Sequence, residues 1–149
     1  MPSTHTPRYE LPLLAVSQAH KEVTHNDALV RIDALLHTVV EDRLTSTPAV
    51  GEDDIGKCWL IDEGSSGVWS GKSGQIAIWV GADWRFAKPS EGMRMRLRAA
   101  NFDLVYVQGN WISAPLIADP VGGLAIDSEA RLAIKLLLDH LRAIGHVTR

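Results

Sequence analysis

Cysteine is almost absent from this 149-residue chain, which contains only Cys58. An intrachain disulfide and a metal cluster held by thiolates are therefore excluded. Cys58 lies in the predicted strand 57–62, where we expect a small buried apolar residue rather than a reactive thiol.

Strong net charge and long apolar runs are also absent. The formal net charge of −3 argues against a protein that coats nucleic acid, because neutralising phosphates requires clustered Lys and Arg. No run approaches the ~18 apolar residues of a membrane span, and residues 1–10 lack the apolar segment and cleavage pattern of a secretory signal. We therefore expect a soluble protein, made in a cytoplasm, with no direct nucleic-acid partner and no membrane partner.

Motifs for catalysis and for cofactors are missing too. The chain has no G-x-S-x-G nucleophile elbow, no Walker loop and no G-x-G-x-x-G nucleotide turn. His20 and His25 do not have the spacing of the zinc-protease motif H-E-x-x-H, which places both histidines on one helix face. The sequence thus predicts no catalytic residue, no bound metal and no cofactor, and we expect that the protein is not an enzyme.

The chain contains enough apolar sequence, 46% of its residues, for one domain with a substantial core. We predict an α+β fold, with a small antiparallel β domain, sandwich or barrel-like, between an N-terminal and a C-terminal helix. The predicted segments are an extended arm (1–10), an N-terminal helical attachment segment (11–37), the β domain (38–115), a linker (116–126) and an amphipathic C-terminal helix (127–149).

The N-terminal part combines an arm with a capped helix. Residues 1–10 have two prolines and no apolar periodicity, and arms of this kind are often ordered only by a neighbouring subunit. Apolar residues then recur at helical spacing. Because Thr24 followed by Asp27 resembles a capping box, we predict a helix over about 26–37, preceded by a separate short helical turn.

Short strand-like runs and glycine-rich turns follow, beginning with a predicted strand at 38–44. The segments 78–84 and 105–111 share one sequence pattern, in which an aromatic residue is followed by a turn with glycine and then by a Trp. Each predicts a tight hairpin whose flanking aromatic side chains pair across the strands. Residues 67–74 are either a degenerate third hairpin or an irregular loop.

The five tryptophans allow two interpretations. Exposed indoles stack on sugars, which is typical of a carbohydrate-binding module, but a small β domain with few phenylalanines also uses Trp in its core. We favour the core. The candidates for sugar stacking are Trp69, Trp79, Trp84 and Trp111.

Arg94, Arg96 and Arg98 alternate with apolar residues, so one face of a strand would carry three guanidiniums. The simpler interpretation is a solvated face. The alternative is a surface that docks on an acidic partner subunit or on surface phosphates.

A helix with excess apolar surface is predicted near the C-terminus, capped by Asp127 or Ser128 and ending at Gly145. Its apolar residues have the spacing of a coiled-coil seam, and further leucines lie away from that seam. A helix that is apolar on more than one side must be buried on more than one side. We therefore expect it to contact another subunit. The seam residues are Ala130, Ile134, Leu137, Leu141 and Ile144.

Several stretches together resemble a known family, called domain of unknown function 2793, which occurs in phages, prophages and gene transfer agents of alphaproteobacteria. The similar stretches are L-P-L-L (11–14), Q-A-H-K-E-V-T-H-N-D-A-L (18–29), G-V-W-S-G-K-S-G-Q-I-A (67–77) and W-R-F-A-K-P (84–89). Ser17 and His20 depart from the Gly and Gln that are usual in the family. The resemblance implies no established catalytic residues.

The resemblance implies a structural virion protein on the particle surface, assembled in the bacterial cytoplasm. We expect a spike or fibre base, or an adaptor, that attaches a longer host-recognition fibre to a capsid or tail protein, since nothing after Arg149 could supply a receptor-binding head. We expect a homo-oligomer, with a trimer favoured and a pentamer as the alternative. The rival hypotheses are a carbohydrate-binding module for cell-surface polysaccharide and a cell-wall hydrolase fragment.

We expect three groups of residues to make the assembly contacts. Two of them are the alternating arginines and the C-terminal helix seam. The third, from the N-terminal motif, is Gln18, His20, Lys21, Glu22, Thr24, His25 and Asn26.

Overall fold

The computed structural model describes residues 4–15, 21–122 and 127–148. In this part of the chain two helices flank eight strands, and the predicted α+β class is confirmed. The helices are α1 (Lys21–Leu35) and α2 (Ser128–Ala143). The strands are β1 (Val39–Val40), β2 (Arg43–Leu44), β3 (Cys58–Ile61), β4 (Ile76–Trp79), β5 (Trp84–Ala87), β6 (Arg94–Leu97), β7 (Phe102–Val107) and β8 (Asn110–Ser113).

The strands form two four-stranded sheets, the first in the order β2-β3-β4-β5 and the second in the order β1-β6-β7-β8. Each sheet contains one parallel pair, β2 with β3 and β1 with β6. The other four strand pairs are antiparallel as expected, and the sheets are mixed. The predicted strand 38–44 is in fact two short strands. The one with Val40 adds a parallel pair to the second sheet, and the one with Arg43 adds a parallel pair to the first.

The main hydrophobic core draws on both sheets and on α1. Its buried side chains are Ala34, Val40, Cys58, Leu60, Ile76, Ile78, Ala87, Met95, Leu97 and Leu104. A second cluster covers the opposite face of the first sheet, and it consists of Trp59, Ile61, Trp69, Ala77 and Trp84. Because successive strand residues point to opposite faces, the first sheet is covered on both faces, whereas the second sheet contributes one face to the core.

Both predicted hairpins are confirmed. Trp79 faces Trp84 across β4 and β5, with ring centroids 5.1 Å apart. Tyr106 faces Trp111 across β7 and β8, also with centroids 5.1 Å apart. Residues 67–74 contain a single 3₁₀ turn and no strand, which agrees with the irregular loop.

Helix α1 begins earlier than predicted and runs through Thr24 without a break. The expected capping box is therefore wrong. Asp27 instead accepts hydrogen bonds from Arg31 at 2.8 Å and from Arg85 of β5 at 2.7 Å. The Asp27 carboxylate thus bonds a distant strand rather than the start of its own helix. The predicted helical turn before 26 lies partly outside the described residues.

The N-terminal arm forms a small hairpin rather than an extended segment. The amide of Thr6 donates to the carbonyl of Leu11 at 2.9 Å. The buried carboxylate of Asp33 in α1 accepts the Thr6 hydroxyl at 2.6 Å and two further backbone amides of the arm at 2.7 and 3.0 Å. The expectation that a neighbouring subunit orders the arm is therefore wrong for residues 4–15, since the chain's own helix holds it.

Helix α2 begins and ends as predicted. The carboxylate of Asp127 accepts the amide of Ala130 at 2.9 Å, which caps the first turn. The turn after the helix has Gly145 at φ +79°. A Cβ at Gly145 would overlap the guanidinium of Arg96, which donates to the carbonyl of Ile144 at 2.9 Å. Glycine is therefore required both for the turn and for the contact that joins the end of α2 to the second sheet.

Candidate assembly interface

The N-terminal motif mainly holds the chain's own parts together. Glu22 is buried, and the side-chain amide of Asn26 bonds both backbone groups of Leu14, accepting its N–H at 2.9 Å and donating to its carbonyl at 3.0 Å. Thr24 and His25 are exposed. The motif thus fixes the arm to α1 and leaves two polar side chains on the surface.

The outward side of α1 is mixed in polarity. Val23 and Ile32 are 62% and 48% exposed. Among the expected contact residues, Lys21 is the first residue of α1, and Gln18 and His20 lie outside the described residues. The exposed residues of α1 are Val23, Thr24, His25, Ala28, Arg31 and Ile32, and we call them the α1 surface.

Asp27 connects α1 to the first sheet. Burial opposes the ionisation of its carboxyl, but the hydrogen bond from Arg85 and the charges of Arg31 and Arg85 outweigh that cost. The pKa of Asp27 is therefore held below its ordinary value. The ionised carboxylate bridges two guanidiniums, one on the same helix and one on β5.

The expected alternation of arginines along β6 is confirmed, since Met95 and Leu97 are buried between them. Arg96 donates to Asp103 at 3.0 Å, and Arg98 contacts the carboxylate of Glu41 at 3.2 Å. These two guanidiniums are neutralised within the chain. The choice between a solvated face and a docking surface stays open, and Arg94 is the one of the three arginines without a partner among the described residues.

Arg94 lies on the outer face of the second sheet, beside an open cavity of about 410 Å³. Its cross-strand neighbour is Val105, whose own neighbour on β8 is Ile112. Ile112 is 50% exposed. These residues and Val107, which also lines the cavity, form what we call the outer sheet face.

Helix α2 turns the side with Leu138 and Arg142 to its own chain. Leu138 is buried, and one turn along the helix Arg142 donates to Asp119 of the preceding linker at 2.8 Å. The apolar side chains point elsewhere, and at 3.6 residues per turn they cover roughly 200° of the helix circumference. The exposed ones are Leu132, Ile134, Leu136, Leu137 and Ile144, beside the half-buried Leu141. We call them the α2 apolar surface, and it includes most of the predicted seam.

Three tryptophans belong to the core, as we favoured. Trp59, Trp69 and Trp84 are buried, with Trp84 5.2 Å from Trp69 and 5.4 Å from Trp59 between ring centroids. Sugar stacking on Trp69 or Trp84 is therefore wrong, because neighbouring side chains cover their rings. Trp79 and Trp111 are half-buried, and each indole N–H donates to a backbone carbonyl.

Trp111 also lines a small cavity of about 120 Å³ that lies between residues of the two sheets. Polar side chains surround it, from β2, the adjoining loops and β8. They are Arg43, Glu63, Ser73 and Asn110. An aromatic edge among hydrogen-bonding groups is suited to a small polar ligand.

Cys58 is fully buried in β3, as predicted. Burial raises the pKa of its thiol to about 12, so the thiol is protonated at neutral pH. Among residues 4–15, 21–122 and 127–148, no group of three or more His, Cys, Asp and Glu side chains could hold a metal ion. Neither helix in these residues is long and apolar enough to cross a bilayer.

A family model described as Protein of unknown function (DUF2793) matches residues 25–112. The chain belongs to this family. The DUF2793 match runs from α1 to β8, so it includes both sheets and the outer sheet face, whereas the L-P-L-L stretch and α2 lie outside it. No curated protein matches the chain.

The sequence predicted α2 and Arg94 as candidate contact residues but missed the apolar part of the outer sheet face. The pattern that would have found it is the alternation of core and outward residues along β7, where Leu104 is buried and Val105 is not. Val105 and Ile112 meet through a hairpin whose pairing we predicted, so their adjacency followed from that register.

Proposed function

We propose that this protein is a structural virion protein of a phage or of a gene-transfer-agent-like particle. It serves as a spike or fibre base, or as an adaptor, that attaches a host-recognition fibre to a capsid or tail protein. The observation that carries the proposal is the α2 apolar surface. A helix that leaves most of its leucine and isoleucine side chains exposed is stabilised when other subunits cover them.

The exposed surfaces divide between two tasks. The end of α2 is joined to the second sheet through Arg96, and the α2 apolar surface and the outer sheet face serve self-association into a cyclic oligomer, a trimer. The α1 surface is joined to the first sheet through Asp27 and Arg85 and serves attachment to the capsid or tail. An adaptor needs two such separate contact surfaces.

Particle imaging tests this proposal. Particles from a producer strain that lacks the protein are compared by cryo-electron microscopy with particles from the same strain after complementation. We expect a spike or fibre density on the complemented particles that is absent without the protein. Identical particles in both preparations would contradict a structural role in the virion.

A valine pair tests the attachment surface. Val23 in α1 and Val68 in the loop after β3 are 62% and 59% exposed, so Val68→Asp is a matched control for Val23→Asp. We expect Val23→Asp to abolish incorporation into particles while the mass of the purified oligomer is unchanged. Equal incorporation of both variants would show that α1 is not the attachment surface.

The cavity at Trp111 favours one second candidate, a carbohydrate-binding module for host polysaccharide. Capsular polysaccharide would then quench Trp fluorescence, and Trp111→Ala would abolish the quenching while Trp79→Ala, the other half-buried indole, retains it. Absence of quenching in the wild-type protein would reject this candidate.

A further inference from the structure

The outer sheet face combines one unpaired cation with apolar side chains. Arg94 has no hydrogen bond or ion pair with any described residue, whereas Arg96 and Arg98 are both paired. The side chains next to it across the strands, Val105 and Ile112, are apolar. Such a surface is complementary to an apolar helix side that carries one acidic residue.

Helix α2 has such a side. Glu129, in its first turn, has no hydrogen bond or ion pair with any described residue. Leu132 and Leu136 follow it at i+3 and i+7, so the three side chains lie on one face of the helix. Both leucines are exposed, at 57% and 60%.

Glu129 and Arg94 do not pair within one chain. Gly145 and His146, just beyond the end of α2, line the cavity beside Arg94. With a rise of 1.5 Å per residue, Glu129 lies about 24 Å from Gly145 along the helix. A contact between Glu129 and Arg94 must therefore join two copies of the chain.

We propose that the Glu129, Leu132 and Leu136 side of α2 packs on the outer sheet face of the next copy, with Glu129 paired to its Arg94. The other part of the α2 apolar surface, including Leu137, then meets equivalent helices near the symmetry axis. Each copy offers a helix to one neighbour and a sheet face to the other, so the arrangement is head to tail, and in the trimer it closes as a ring. This inference rests on the self-association in the proposed function and assigns the surfaces that make it.

Charge reversal on the full chain tests the contact. Arg94→Glu and Glu129→Arg are each compared with the wild-type protein and with the double variant by sedimentation equilibrium. We expect each single variant to weaken self-association at least about tenfold, because like charges then face each other, and the double variant to restore it to within about threefold. Lys88→Glu, which reverses another exposed cation without a partner among the described residues, is the matched control and should have no effect.

The outcomes separate the two proposals. A wild-type oligomer that neither reversal weakens, or that the double variant fails to restore, overturns the inference and leaves self-association standing. A wild-type monomer overturns both. Circular dichroism of each variant establishes that it is folded, and Arg94→Gln, which removes the charge without reversing it, gives an intermediate loss if the contact exists.

Discussion

The first sheet is covered on both faces by its own chain, whereas the second sheet packs one face on the core and leaves the other largely open. In the first sheet, Cys58–Ile61 is buried at every position. In the second, β8 has no buried residue. Two sheets of equal strand number in one domain thus have different surroundings.

The difference can be read in the strand sequences. C-W-L-I of β3 is continuously apolar, as is typical of a strand buried on both faces. R-M-R-L of β6 alternates, as is typical of a strand with one solvated face. The difference shows that the second sheet leaves apolar side chains such as Ile112, which is 50% exposed, on its outer face.

The largest effect is expected when the same change, Ile to Ala, is made separately in the first sheet and in the second. Ile78→Ala in the first sheet removes a fully buried side chain and should cost about 2–5 kcal/mol of unfolding free energy. Ile112→Ala on the outer sheet face should cost the folded chain about 1 kcal/mol or less. Urea unfolding at concentrations below self-association measures both. Equal losses would contradict the contrast between the sheets.

A smaller effect is expected where the arm meets α1, beside the core. Asp33→Ala leaves the Thr6 hydroxyl and two backbone amides without their acceptor, which should cost about 1–3 kcal/mol. Urea unfolding measures the loss, and limited proteolysis should cut the arm faster. Asp53→Ala, an exposed acidic residue, is the control. An arm as protected as in the wild type would contradict our account of Asp33.

The junction between α2 and the second sheet is tested by substituting Ala for each of two glycines that have the same φ. Gly145 and Gly92 are both at +79°, but a Cβ at Gly145 overlaps Arg96, whereas no atom lies within 4 Å of a Cβ at Gly92. Both changes to Ala carry the backbone cost of about 1 kcal/mol. We expect Gly145→Ala to lose about 1 kcal/mol more than Gly92→Ala in thermal or urea unfolding. Equal losses would show that the helix end does not depend on the Arg96 contact.

The smallest effect concerns pH and the first sheet. Because the pKa of Asp27 is lowered in the folded chain, its contribution is present above the unfolded pKa of about 3.9 and is lost as pH falls through the folded value. Asp27→Asn should therefore cost about 1 kcal/mol or less at pH 7, and the difference from wild type should vanish in acid. A difference that persists unchanged at the lowest pH at which both fold would contradict a charge effect.

The features predicted correctly from the sequence are local ones. The hairpins at 78–84 and 105–111 follow from turn glycines and flanking aromatics, and both ends of α2 follow from Asp127 and Gly145. Each of these is decided within a few residues of the chain, so one sequence suffices.

The features that could not be predicted are decided by distant residues. The order of the arm depends on Asp33 meeting the Thr6 hydroxyl, and Asp27 bonds Arg85 of β5 instead of capping the helix. Of the candidate site, the sequence predicts the apolar seam of α2. It could not show that Arg96 and Arg98 are neutralised while Arg94 is not, because their acidic partners come from other segments.

The central claim is that other copies of this chain cover α2 and the outer sheet face. Multi-angle light scattering of the full chain at micromolar concentration tests it most directly, with Leu137→Asp as the variant that places a charge in the α2 apolar surface. We predict three times the mass of the 149-residue chain for the wild type and a folded monomer for the variant. A monodisperse wild-type monomer would contradict the claim.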